Sequence, residues 1–295
     1  MKKMTRGKLW IFNAWVWMAL SFLCILPSCF EPESGCLNNE ALNYALDADQ
    51  PCSDCCEFPS LVLDIQHRFT RDSIVQGIIP ASSIHTDDFG QVFRFKSLRF
   101  FLSNLHLKDN AGVALEVQEE LPLVVIEGNR IRLDTVEDNF ALGNAAILSD
   151  YTIGTIRGGG AFESVSFDLG LADPSSKADI DEVPIDHSLN EPDLYLSDEE
   201  GYVFLEVDLY RDTAQVGLDS VQVLLDRTTM LPNFSFPIDF FLNPGFNTEV
   251  TVQVNYAVLL AGVNIRSDSK EEIYEKIVNN LANAFLVIDV TANNL

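Results

Sequence analysis

The sequence predicts an all-β domain: an antiparallel β-sandwich or barrel, immunoglobulin-like or jelly-roll-like, with one late amphipathic helix. Three observations predict it. Apolar residues alternate with period two through a series of short runs. Clusters of Gly, Asn, Asp and Pro separate those runs. One segment near the end switches to a helical period instead.

The first run, LVLDIQHRF, sets Leu61, Leu63 and Ile65 against Asp64, Gln66 and Arg68. FRFKSLRFFLSNLHLKD extends the same period. It predicts Phe93, Phe95, Ser97, Arg99 and Phe101 on one face and Arg94, Lys96, Leu98, Phe100 and Leu102 on the other. LPLVVIE, YTIGTI, ESVSFDLGL, GYVFLEVDLY, DSVQVLLD, FSFPIDFFL and TEVTVQVNYAVLL supply further strands. Turns are expected at Asp109 to Gly112, Glu127 to Asn129, Gly158 to Gly160 and Asn243 to Gly245. Gly158 to Gly160 opens no helix, so it reads as a hairpin turn and not as a phosphate cradle. The helix is KEEIYEKIVNNLANAF. Ser267 or Ser269 can cap it, Glu271 and Glu272 suit its first turn, and Ile273, Ile277 and Leu281 form one stripe. Ala172 to Gly201 reads as a long, solvated acidic loop, a length that often marks function. Its DIDEVPID lacks the residue order of a calcium loop.

Residues 1–28 read as a lipoprotein signal peptide. Lys2, Lys3, Arg6 and Lys8 precede an apolar run that ends in Leu26-Pro27-Ser28-Cys29. Cys29 is the expected lipid attachment site. No Asp follows it, so an outer-membrane lipoprotein is expected, on the periplasmic face or at the cell surface. Residues 29–59 read as a Cys-rich stalk between the lipid and a domain spanning 60–295. The stalk holds Cys36, Cys52, Cys55 and Cys56, and no cysteine follows. In an oxidising compartment these four pair, with Cys36 expected to join one of the other three. The alternative is half of a zinc site at Cys52 and Cys55.

After cleavage, 15 basic residues face 44 acidic ones, a formal charge of −29. That excludes a nucleic-acid-binding role, because phosphates would be repelled. No nucleophile elbow, zinc-protease helix or domain cysteine is present, so no enzyme is expected.

Three stretches, met in order, carry a family resemblance. The first is FGQVFRFKSLRFFLSNLHLKDNAG, through Leu98, Phe100, Phe101, Ser103, Asn104, Leu107 and Gly112. The second is RGGGAFESVSFDLGLAD, through Phe167, Leu169, Gly170 and Asp173. The third is DLYLSDEEGYVFLEVD, through Tyr195, Gly201, Tyr202 and Phe204. Together they resemble the methanobactin-associated copper-binding protein (MbnP-like) domain family, in a Bacteroidota lipoprotein branch. The resemblance implies a β-sandwich and a copper site built from histidines and an oxidised tryptophan. Here Leu196 and Asp198 stand at the tryptophan positions of the third stretch. The three Trp residues, at 10, 15 and 17, all fall within the signal. The expected ligands are therefore His67, matching the first-strand histidine of the family, and His187 in the acidic loop. His85 and His106 are the remaining histidines.

Two functions follow as expectations. The first is non-enzymatic binding of copper or another divalent metal. The alternative is a structural or interaction lipoprotein that has lost the metal site and binds protein or glycan through its acidic loop.

Overall fold

The structure is a computed structural model that describes residues 31–128, 130–147, 150–212, 219–228 and 232–293. The expected signal peptide, Cys29 and all three tryptophans lie outside the described residues. Among the described residues, no helix is long and apolar enough to cross a membrane.

The strands in chain order are β1 (Ser34–Gly35), β2 (Gln50–Pro51), β3 (Ser60–Arg71), β4 (Ile74–Gly77), β5 (His85–Thr86), β6 (Val92–Lys108), β7 (Ala114–Leu115), β8 (Glu120–Glu127) and β9 (Arg130–Glu137). They continue with β10 (Phe140–Asn144), β11 (Tyr151–Thr155), β12 (Gly160–Leu169), β13 (Tyr195–Ser197), β14 (Gly201–Tyr210), β15 (Ser220–Asp226), β16 (Asn233–Leu242), β17 (Asn247–Asn255) and β18 (Phe285–Asn293). Between β17 and β18 lie the helices α1 (Tyr256–Leu259) and α2 (Lys270–Ala284).

Two sheets form a sandwich, as the alternating runs predict. The larger follows the order β13-β14-β6-β12-β16, with β5, β7 and β10 on β6 and β15 on β14. The smaller follows β11-β3-β17-β18, with β4 on β3. Pairing in both is antiparallel except for β3 with β17, which run parallel. Between the sheets lie Leu61, Leu63 and Ile65 of β3, Phe93, Phe95, Leu98 and Phe100 of β6, and Val165 and Phe167 of β12. Each such side chain contributes roughly 1.5–3 kcal/mol by leaving water.

The strict alternation expected along β6 fails at two places. Phe93 and Phe95 face the core, yet so do Leu98 and Phe100. The register against β14 slips between Phe95 and Ser97, so one extra residue bulges outward there. Ser97, Arg99 and Phe101 therefore turn away from the face that holds Phe93 and Phe95. The second slip lies between Ser103 and His106. Asn104 there takes φ +56°, a conformation Asn tolerates well. Its Nδ2 donates to Asp168 Oδ2 at 2.6 Å, and Leu105 and Leu107 return to the core.

Three more expectations are corrected. Gly158 to Gly160 is no hairpin turn: β11 pairs with β3 in the small sheet, whereas β12 pairs with β6 and β16 in the large one. The segment crosses between layers, and a side chain on Gly159 would meet the Leu242 carbonyl and Pro244. TEVTVQVNYAVLL is strand only as far as Asn255, whose side chain then caps α1 by accepting from the Ala257 N–H. Ala172 to Gly201 is not a solvated loop. Short 3-10 turns at Ser175–Lys177, Ile180–Glu182 and Pro192–Leu194 fold it into a cap. Val183, Leu189 and Leu194 of the cap are buried with Leu121, Leu123 and Val125 of β8 and Phe101 and Tyr202 of the large sheet. This second core lies on the outer face of the large sheet.

The late helix forms as expected. Ser269 caps α2 in a reciprocal capping box with Glu272, and Ile273, Ile277 and Leu281 are buried. The cysteines pair as Cys36–Cys56 and Cys52–Cys55. Ala41 of this stapled segment is buried, and its carbonyl lies against the turn at Gly245.

Candidate functional site

His67 sits on β3 with its side chain between the sheets, 3% exposed. Its Nδ1 lies 2.7 Å from Tyr256 Oη, and the two rings stack at 5.9 Å. Phe100 packs against it at 5.9 Å. Burial, together with the positive charge of neighbouring Arg68, lowers its pKa to about 4. It is therefore a neutral imidazole at physiological pH.

His187 sits in the cap, on the other side of the large sheet. The Leu189 N–H donates to its Nδ1 at 3.0 Å. That bond leaves the ring proton on Nε2, which donates to Asp138 Oδ1 at 2.9 Å. Phe140 of β10 packs edge-on at 6.1 Å. Both nitrogens of His187 are thus engaged.

The structure does not bring His67 and His187 together. His67 touches Phe100, which points into the inter-sheet core. His187 belongs to the layer of Phe101 and Phe140, on the opposite face of the same sheet. A shared ion would need both nitrogens about 2 Å from it. This pair does not fit that requirement, and among the described residues no group of three or more His, Cys, Asp or Glu is placed to hold a metal. The other histidines stand apart. His85 is buried among Phe69, Phe93 and Phe95, and burial lowers its pKa to about 4. His106 faces Glu137 at 3.0 Å.

A cleft of about 450 Å³ opens where the cap meets the sheet edges. Asp138 and Phe140, Tyr151 of β11, and Asp186, His187 and Glu191 of the cap line it, together with Asp150. Asp138 is bonded to His187. Glu191 accepts from Arg99 Nη1 at 2.9 Å. Asp150 and Asp186 remain exposed, with no ion-pair partner among the described residues.

Beneath Glu191 lies a buried polar network that sequence reasoning missed. Glu206 accepts from Arg99 Nε at 2.7 Å, Ser97 Oγ at 2.7 Å and Gln222 Nε2 at 2.8 Å. Burial alone would raise the pKa of Glu206, but these bonds outweigh it and hold the carboxyl below its usual range. Its sequence signals are Glu206 inside the apolar run GYVFLEVDLY and Ser97 and Arg99 two residues apart on another expected strand.

Parts of the three stretches that carry the family resemblance meet in this outer layer, whereas Leu98, Phe100, Leu107, Phe167 and Leu169 face the inter-sheet core. Ser103 Oγ donates to the Gly170 carbonyl at 2.8 Å. Tyr202 packs edge-on against Phe101 at 5.7 Å and Tyr195 at 5.0 Å. Gly201, at φ +73°, brings its backbone against the Ser176 carbonyl of the cap.

A family model, MbnP, matches residues 59–278. The solved structure of MbnP from Methylosinus trichosporium is similar over 78% of this chain and 98% of its own, at 11% identity and a TM-score of 0.37. No curated protein matches.

Proposed function

The chain belongs to the MbnP family, and from that premise we propose an exported, outer-membrane lipoprotein whose sandwich is a non-enzymatic interaction domain. Its acidic cleft receives a protein partner that presents basic groups. The observation that carries this reading is the cleft itself, where Asp150 and Asp186 stand exposed beside a firmly packed cap. The excess of 44 acidic over 15 basic residues after Cys29 supports it, because such a field steers cationic partners toward the surface.

Copper binding, which the resemblance implies, is the weaker reading for this chain. His67 and His187 point to opposite faces of one sheet, and Leu196 and Asp198 replace the family's tryptophans. Each imidazole already serves the fold through Tyr256 or Asp138.

The test is retention of cell-envelope proteins on the immobilised full chain, compared with the Asp150→Lys/Asp186→Lys variant. The reading expects a salt-sensitive partner held by the wild type and released by the variant. Equal retention by both would remove the cleft from the account.

A further inference from the structure

The hairpin β8–β9 has one buried and one bare face. Leu121, Leu123 and Val125 enter the outer core. On the opposite face, Ile131 and Leu133 are 74% and 81% exposed. They lie across from Ile126 and Val124. Among the described residues β9 pairs with β8 alone, so its second edge is open. An open edge with apolar side chains is a template for another strand.

We propose that a second copy of this chain adds its own β9 to that edge, antiparallel, about a twofold axis at Leu133. The backbone sets the parity. The Val124 carbonyl turns away from β9 and accepts from the Asp179 N–H at 2.7 Å. Opposed residues in an antiparallel ladder exchange both bonds or neither. Leu133, opposite Val124, therefore directs its N–H and C=O to the open edge. Ile131 and Thr135, two residues to either side, do the same. The Thr135 N–H is held meanwhile by Asp134 Oδ1 at 3.0 Å.

Charge selects both the occupant and the register. A surface this acidic repels a second copy almost everywhere. The strand β9 is an exception: Arg130 and Arg132 lie in its first half and Asp134 and Glu137 in its second. Antiparallel self-pairing brings opposite charges together. With Leu133 facing Leu133 of the copy, Arg132 faces Asp134 of the copy, and the contact occurs twice. A register centred on Asp134 sets that carboxylate against its copy, which is repulsive, and one centred on Arg132 sets two guanidinium groups against each other while Arg130 faces Asp134. Only the register centred on Leu133 has no like-charge pair at its centre. At present Arg132 holds only exposed pairs with Glu127 and Asp134, which are worth little and easily exchanged. Asp134 frees the Thr135 N–H as it turns to Arg132 of the copy. One strand pair is a small interface, below the roughly 1,000 Å² of a stable one, so the dimer is weak and is best read by covalent trapping.

The experiment uses the full-length chain, expressed with its own leader, oxidised with diamide and run on a non-reducing gel. In the proposed register Leu133 lies about 5.5 Å from its copy, within disulfide reach. Ile131 lies about 14 Å from its copy. Leu133→Cys is expected to give roughly tenfold more dimer than Ile131→Cys, and Ile131→Cys/Thr135→Cys to recover it. Adding Arg132→Asp to Leu133→Cys should lower the dimer to the Ile131→Cys level, and adding Asp134→Arg should restore it. Ile131, Arg132, Leu133 and Thr135 are exposed and Asp134 is half-buried, and an unchanged unfolding midpoint controls for folding. Equal trapping at 131 and 133, no dimer at 133, or capture of a different protein in place of the copy would overturn the proposal.

Discussion

Replacing His67 by Gln should remove a pH dependence from folding while keeping a hydrogen-bonding group against Tyr256. In the fold, burial lowers the His67 pKa from 6.5 to about 4. The unfolded chain therefore binds the extra proton first. The stabilisation from the neutral buried ring is complete above pH 6.5, declines as pH falls from 6.5 toward 4, and is spent below that. Moving from pH 7.5 to pH 5 should cost about 2 kcal/mol for this one ring. His85 carries the same shift by burial, so the wild type should lose about 4 kcal/mol from both rings over that interval. His67→Gln should lose about half as much. Protonation of surface acids relieves repulsion as pH falls, but that contribution is common to both proteins and cancels in the comparison. The assay is urea unfolding at pH 7.5, 6.5, 5.5 and 5.0. Curves that stay parallel for wild type and His67→Gln would refute the assignment of His67 as a neutral core histidine.

Arg99→Met should destabilise the fold by about 3–5 kcal/mol, because it strands the Glu206 carboxylate inside the network; the urea midpoint checks it. Gly201→Ala should cost at least about 2 kcal/mol, since φ is +73° and the added carbon would press on the Ser176 carbonyl. Leu189→Ala should cost about 2–5 kcal/mol, and limited proteolysis should then cut within 172–200 before it cuts elsewhere, because the cap is held by that buried side chain.

The sandwich was legible in the sequence because β3 and α2 each follow their period over many residues and β6 follows it between its two slips. Ser269, Ile273, Ile277 and Leu281 take the places the pattern gives them. The two slips in β6 were not legible, because a bulge changes which face a residue takes without changing the composition of the strand. The strand β18 was missed for a different reason: Phe285 follows Ala284 with no Gly or Pro between helix and strand. The strand β9 hid behind its alternating charges. The cap read as solvated because its acids outnumber the three apolar residues that anchor it. The histidines were identified as residues, but their surroundings were not. Tyr256 lies 189 positions from His67, and Asp138 lies 49 from His187. No local pattern encodes such pairings. The family resemblance pointed to His67 and His187 as one set; only the sheet between them shows that they are two.

His67 and His187 serve the fold separately, one between the sheets and one in the cap. The most direct test is copper content after the full chain is incubated with excess Cu(I) or Cu(II) and dialysed. Far less than one copper per chain is expected, unchanged in His67→Gln and in His187→Gln. One tightly held copper per chain, lost in either variant, would contradict it.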